Sequence, residues 1–238
     1  MGGCSARRTR NEQLLRPRGV RLIVDRPVAR IVLASASPRR RALIELLRLP
    51  WRAAAANLDE QRYLLSEPMT SALNVALGKA QAAQLGADEI ALAADTLVVC
   101  DGEVLGKPDD ATEAEAMLRS LRDRAHSVLS GIVLRGGDGR EWGGVVDTRV
   151  WMRAYSESEV HTYVARGEPF DKAGGYAIQD AEFRPVQRVD GCYLNVVGLP
   201  VCAVAAGLDA LGVPVERPAS LRAPCEYCRQ GARLVEIG

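Results

Sequence analysis

The chain has 238 residues, 47% of them hydrophobic and 26% charged, and 31 basic residues nearly balance 30 acidic ones for a net charge of +1. That length suits one large or two small domains with an ample core, and the near-neutral charge gives no whole-molecule attraction to a nucleic-acid polymer or a membrane. No apolar run reaches the length of a transmembrane helix, and the six cysteines show no disulfide spacing, so a reducing, cytoplasmic compartment is expected.

The first 30 residues carry eight arginines against two acids, Glu12 and Asp25, and lack the apolar centre of a secretion signal. Residues 1–29 are expected to be a disordered basic extension or the product of a start codon placed too early, with a mitochondrial transit peptide as the alternative. "RIVLAS" then reads as a short buried strand. Ser37 is placed to cap a helix that begins at Pro38, a favoured first helical residue, with Leu43, Leu46 and Leu47 on its apolar face. "WRAAAANLDEQ" leads through an extended stretch to Asp59 and Glu60. "TSALNVALGKAQAAQLG" predicts a second helix closed by Gly86.

"IALAADTLVVCDG" predicts a buried strand that carries Asp95 and turns at Asp101-Gly102. Ala114, Met117, Leu118 and Leu121 recur at helical spacing. "HSVLSGIVLRGGDGREWGGVVDTRVWMRA" reads as a hairpin of two long strands around a Gly-rich turn. Ser156 and Glu159 form a capping box for a helix that Gly167 ends. "PVQRVDGCYLNVVG" predicts a strand pair or bent strand, and "LPVCAVAAGLDALG" a last helix with Val201, Val204, Leu208 and Leu211 inward. Residues 30–212 therefore read as one α/β domain with a mixed sheet. Residues 213–238 read as a tail in which Cys225 and Cys228 are two ordinary thiols or half of a zinc site.

Several positions have the chemistry of an anion site. The junction "LASASPRR" puts Ser35, Ser37, Arg39 and Arg40 at a strand-to-helix turn, where hydroxyls and forked cations suit a phosphate; an exposed basic turn is the competing reading. Asp95 lies among Ala, Leu and Val, so its carboxylate must be paired, metal-bound or shifted in pKa, a satisfied core acid being the competing reading. Thr96 beside it can donate to a ligand. Only three of the basic residues are lysines, Lys79, Lys107 and Lys172, each in a glycine- or acid-flanked stretch. In a chain that otherwise uses arginine, they mark places where a compact ammonium is hard to replace. "GEPFDKAGGYAIQ" gathers Glu168, Asp171, Lys172 and Gln179, whose amide can read the imide edge of a base.

In order, "LASASPRR", "LDE", "AADT", "GEVLGKP", "GEPFDKAGGYAIQ" and "NVVGLP" resemble the motifs of the Maf nucleotide pyrophosphatases over about residues 30 to 211. The resemblance implies an elongated mixed β-sheet flanked by helices, with two lobes and a central cleft, in the Maf and inosine-triphosphatase manner. It implies hydrolysis of a nucleoside triphosphate to monophosphate and diphosphate with a divalent cation, Mg²⁺ or Mn²⁺. By the same likeness Asp95 is the proton acceptor, Arg40, Thr96 and Gln179 match positions tied to substrate choice, and Glu60, Lys79 and Lys107 match other cleft residues. We take Asp95 and Glu60 as the expected metal ligands, and Arg39, Arg40, Lys79 and Lys107 as the expected partners of the phosphates. "DKAGGYAIQ" resembles the branch acting on dTTP and UTP. Ala94 and Ser130 stand where the family usually has Gly and Thr. His126 is read as a structural histidine, and a homodimer is expected by likeness alone. The competing functions are a non-catalytic nucleotide-binding regulator of division and a pyrophosphatase directed to 7-methyl-GTP or other purines.

Overall fold

The computed structural model describes residues 30–55 and 58–215; both tails, with Cys225 and Cys228, lie outside the described residues. In chain order the elements are β1 (Arg30–Leu33), α1 (Pro38–Ile44), β2 (Trp51–Ala53), α2 (Pro68–Ala82), β3 (Glu89–Cys100), β4 (Glu103–Leu105), α3 (Ala111–Leu121), β5 (Ala125–Gly136), β6 (Glu141–Met152), α4 (Glu157–Ala165), β7 (Val186–Asp190), α5 (Tyr193–Val197) and α6 (Val201–Ala210). The strands form one mixed seven-stranded sheet in the order β2-β1-β3-β5-β6-β7, with β4 also on β3. Both β1 ladders are parallel, and the ladders β3–β4, β3–β5, β5–β6 and β6–β7 are antiparallel. Among the described residues no helix is long and apolar enough to cross a membrane.

Strand alternation sorts the core. Ala91 and Ala93 of β3 face α2, where Ala76 and Ala80 let the helix lie close on the sheet. The other face of β3 carries Ile90, Leu92 and Ala94, which pack with Ile132, Leu134 and the apolar residues of α1 and α6. Further along that same face, Val98 and Cys100 join Val128, Val150 and the helices α3 and α4. Two separate cores on one face make two lobes, and the apolar row is broken between them at Thr96 on β3 and Ser130 on β5. Those two residues are direct ladder partners.

The edge of β3 is divided in the same place. The ladder with β1 covers Glu89–Leu92, and the ladder with β4 covers Val98–Cys100. Between them, residues 93–97 have no strand beside them on that edge among the described residues. The β3–β4 turn fits its residues: Asp101 and Gly102 have φ of 50° and 86°, the two left-handed positions of a tight hairpin.

Three expectations change. The second helix starts at Pro68, capped by the Glu67 carboxylate, and ends at Ala82. Gly86 lies outside it, where its N–H donates to Glu89 Oε2 (2.9 Å) as the chain turns into β3. The first helix ends at Ile44 and continues as a 3₁₀ turn, Glu45–Leu47. "PVQRVDGCYLNVVG" is one strand followed by the helix α5. The reason is tertiary: the buried Asn195 amide donates to Val128 O at 2.8 Å and to Thr148 Oγ1 at 3.0 Å, fastening a helical turn across β5 and β6. The remaining elements, including the Ser37 cap and the Ser156–Glu159 capping box, are as expected.

Gly131 is where α2 crosses β5. A Cβ there would come within 2.4 Å of the Ala72 and Leu73 backbone. Gly131→Ala is expected to cost about 1–3 kcal/mol of stability by overpacking, as urea unfolding would measure. An unchanged midpoint would mean the helix can lift without penalty.

Candidate active site

Between the lobes lies a cleft of about 680 Å³, lined by residues from the β1–α1 junction, the turn before α2, α2 itself, the unpaired stretch of β3, the loop after β4 and the segment 171–179. All eleven residues expected to carry the site line this one cleft: Ser35, Ser37, Arg39, Arg40, Glu60, Lys79, Asp95, Thr96, Lys107, Lys172 and Gln179. All three lysines of the chain are among them. Five cationic side chains face three acids there, Glu60, Asp95 and Asp171.

Adjacent residues on a strand point to opposite faces. Asp95 therefore turns toward α2, whose Lys79 reaches it at 2.9 Å, and Lys79 also meets Glu60 Oε1 at 3.0 Å. The lysine and Asp95 are largely buried, at 11% and 13% side-chain exposure, while Glu60 is open at 54%. One ammonium thus holds two carboxylates that belong to a strand and a distant turn. Two carboxylates within reach of a common cation, facing a cleft, suit a divalent ion that takes its other ligands from phosphate oxygens and water. No group of three or more His, Cys, Asp or Glu is placed to hold an ion among the described residues.

Thr96 turns the other way, toward α1. Arg40 is fastened there by three bonds: Nε to the Gly198 carbonyl (3.0 Å), one terminal nitrogen to Ser35 Oγ (3.5 Å) and the other to Thr96 Oγ1 (3.2 Å). Burial lowers its pKa below the ordinary guanidinium value, and Asp95 and Glu60 oppose that shift. Arginine stays charged regardless, so this half-buried cation gains from any anion entering the cleft. Ser35 Oγ also accepts the Ser37 N–H at 3.2 Å, while Ser37 Oγ caps the helix by accepting the Arg40 N–H. Thr96 Oγ1 lies 2.8 Å from Ser130 Oγ.

On the facing wall, Asp171 ties the lobes together. Its carboxylate and carbonyl oxygens accept from Arg39 at 2.7 and 2.9 Å, and its other carboxylate oxygen accepts from Lys172 at 2.7 Å. Lys172 is further held by the Glu168 carbonyl and by Glu168 Oε2. The side chains of Lys107 and Gln179 make no hydrogen bond or ion pair with a described residue, and both are exposed in the cleft.

Asp171 and Ser130 were not among the expected site residues. Asp171 had a signal, since it stands in the "FDKAGG" stretch; Ser130 stood out only as a departure from the family motif, and its place opposite Thr96 came with the β3–β5 register. His126 does not line the cleft. It is fully buried, with Nε2 2.7 Å from the hydroxyl of Tyr176, a cleft-lining residue. Burial, with a smaller contribution from Arg149, pushes its pKa from 6.5 down to about 4. The folded chain therefore binds fewer protons than the unfolded chain between those values, and stability falls as pH drops through that window. The loss is expected to approach about 3 kcal/mol. Urea titrations at pH 7 and pH 4 should show the stability gap between wild type and His126→Gln narrowing by that amount. A constant gap would mean that His126 takes up its proton without opening the fold.

Residues 30–211 match the family model described as Maf-like protein. A dTTP/UTP pyrophosphatase of Thermomicrobium roseum is 46% identical over 203 residues, covering 83% of this chain and 92% of the relative. One from Geobacter sp. strain M21 is 43% identical over 186 residues, 76% of this chain and 95% of that one. One from Anaeromyxobacter dehalogenans is 45% identical over 189 residues, 78% and 96% respectively.

Proposed function

The chain belongs to the Maf family, and we propose that it hydrolyses dTTP and UTP to the nucleoside monophosphate and diphosphate. The observation that carries this reading is the meeting of Asp95, Lys79, Glu60 and Arg40 in one cleft with every lysine of the chain.

In this mechanism the triphosphate lies along the cationic wall. Arg40 offsets charge near the α-phosphate, and Lys107, which has no partner of its own among the described residues, is free to meet the diphosphate end. Arg39 and Lys172 exchange Asp171 for phosphate oxygens. Asp95 orients a water molecule and takes its proton as the water oxygen bonds to the α-phosphorus; the bond from that phosphorus to the bridging oxygen breaks and diphosphate leaves. Lys79 fixes where Asp95 and Glu60 point. Asp95 and Glu60 would hold a divalent cation, Mg²⁺ or Mn²⁺, which when bound supplies charge neutralisation and a more acidic water. Gln179 has its amide free to donate to a carbonyl and accept the N3–H of uracil or thymine.

A diphosphate-release panel over UTP, dTTP, CTP, GTP, 7-methyl-GTP and ITP tests the reading. UTP and dTTP are expected to lead. A purine in first place would move the protein to the purine-directed class, and binding without release in any divalent metal would make it a nucleotide-sensing regulator. Asp95→Asn should keep nucleotide binding and lose about 100-fold or more in turnover; full activity would remove Asp95 as the base. Gln179→Glu should lower kcat/KM for UTP by about tenfold, because an ionised acceptor cannot donate to the base carbonyl. An unchanged rate would place base reading elsewhere.

A further inference from the structure

Among the described residues the buried hydroxyl of Ser130 has one hydrogen-bond neighbour, the hydroxyl of Thr96 at 2.8 Å. Either oxygen could hold the shared proton, and the surroundings decide between them. Thr96 Oγ1 already accepts from the Arg40 guanidinium, which has no acceptor and can only donate. Suppose Thr96 donated to Ser130. The Ser130 proton would then have no acceptor among the described residues, on a side chain with 0% exposure, and an unsatisfied buried donor costs about 1–3 kcal/mol. If Ser130 donates instead, both acceptor positions of Thr96 are filled, by Ser130 and by Arg40. The Thr96 proton then has one direction left, into the cleft that Thr96 lines.

We infer that Ser130 is a positioning residue that makes Thr96 an obligate donor to the bound nucleotide. Ser130 never touches the ligand. It sets the polarity of a hydroxyl that does, so that the site selects an oxygen acceptor, of phosphate or base carbonyl, over a donor at that spot. Ser35 repeats the arrangement across the guanidinium: its oxygen accepts from the Ser37 N–H and from Arg40, leaving its own proton for the cleft. Arg40 is thus a cation that also turns two neighbouring hydroxyls outward as donors. The location follows from the fold, because Thr96 and Ser130 are the polar interruption between the two lobe cores.

The inference rests on the nucleotide-binding reading, so binding is measured apart from turnover. Equilibrium titration with α,β-imido-UTP, which resists cleavage, is made on wild type, Ser130→Ala, Ser130→Thr, Thr96→Val and the Ser130→Ala/Thr96→Val double variant, each checked by its thermal unfolding. Ser130→Ala is expected to weaken binding about tenfold, since Thr96 loses the partner that orients it. Ser130→Thr should stay within about threefold of wild type, because it keeps the hydroxyl. The double variant should bind no more weakly than Thr96→Val alone, because Ser130 acts through that hydroxyl. Wild-type affinity in Ser130→Ala, or losses that multiply in the double variant, would overturn the inference. Should Ser130→Ala fail to fold, Ser130→Val against Ser130→Thr makes the same comparison at nearly equal volume. A wild type that binds the analogue yet releases no diphosphate from UTP would sink the pyrophosphatase reading and leave the binding cycle to decide the role of Ser130.

Discussion

A β-strand cannot point two consecutive side chains to the same face. Asp95 and Thr96 are consecutive, yet both line one cleft. The structure reconciles these facts by leaving the edge of β3 open between the β1 and β4 ladders. At an open edge a cleft can wrap around the strand and meet both faces. The carboxylate is then met from one side by α2 through Lys79, and the hydroxyl from the other by α1 through Arg40. The division between the two cores, the break in the apolar row at Thr96 and Ser130, and the cleft all fall at the level of that gap.

The electrostatics of the cleft come from the same layout. Cations drawn from both lobes into one cleft would repel one another, and three acids offset them. Lys79 is compensated by Asp95 and Glu60, and Arg39 and Lys172 by Asp171. These pairings differ in strength. Lys79 and Asp95 are shielded from solvent, whereas Asp171 is 59% exposed and surface pairs contribute little. The Asp171 contacts can therefore yield to a polyphosphate at small cost, while the Lys79 pair remains as a fixed part of the floor. A site arranged this way holds its geometry before the ligand arrives, and electrostatic stabilisation depends on that.

The choice of cation matters as well. Arg40 fills a place where a planar fork meets a carbonyl and two hydroxyls at once, a task an ammonium cannot perform. Lys79 fills the reverse case, a narrow space between two carboxylates from different elements, where a compact charge on a slender stem fits. Gly78 beside it packs so closely on the Tyr63 ring that a Cβ would lie within 2.5 Å of it. The crowding is local to that turn of α2 and brings the Glu60–Tyr63 segment against the helix that carries Lys79.

Much of this molecule could be read from the chain. Apolar periodicity placed the long strands, Ser37, Ser156 and Gly167 marked helix ends, and the rarity of lysine singled out three side chains that share one cleft. These signals are local, set by propensity, capping and the character of single residues, and a linear reading captures them. What a linear reading missed depends on partners far along the chain. The segment around Asn195 has the composition of a strand and becomes a helix because one amide finds acceptors on β5 and β6. Glycine at 86 had the look of a helix terminator, yet the helix stops at Ala82, ahead of the turn that Gly86 and Glu89 build into β3. Ser130 is only a serine in place of the family's usual threonine until the register sets it opposite Thr96, and Asp171 an ordinary acid until the lobes bring it to Arg39. Residue types alone therefore determined which chemistry this chain can perform. Strand register and the gap in the β3 edge, products of pairing over long sequence distances, decided which of those residues meet and which way their protons point.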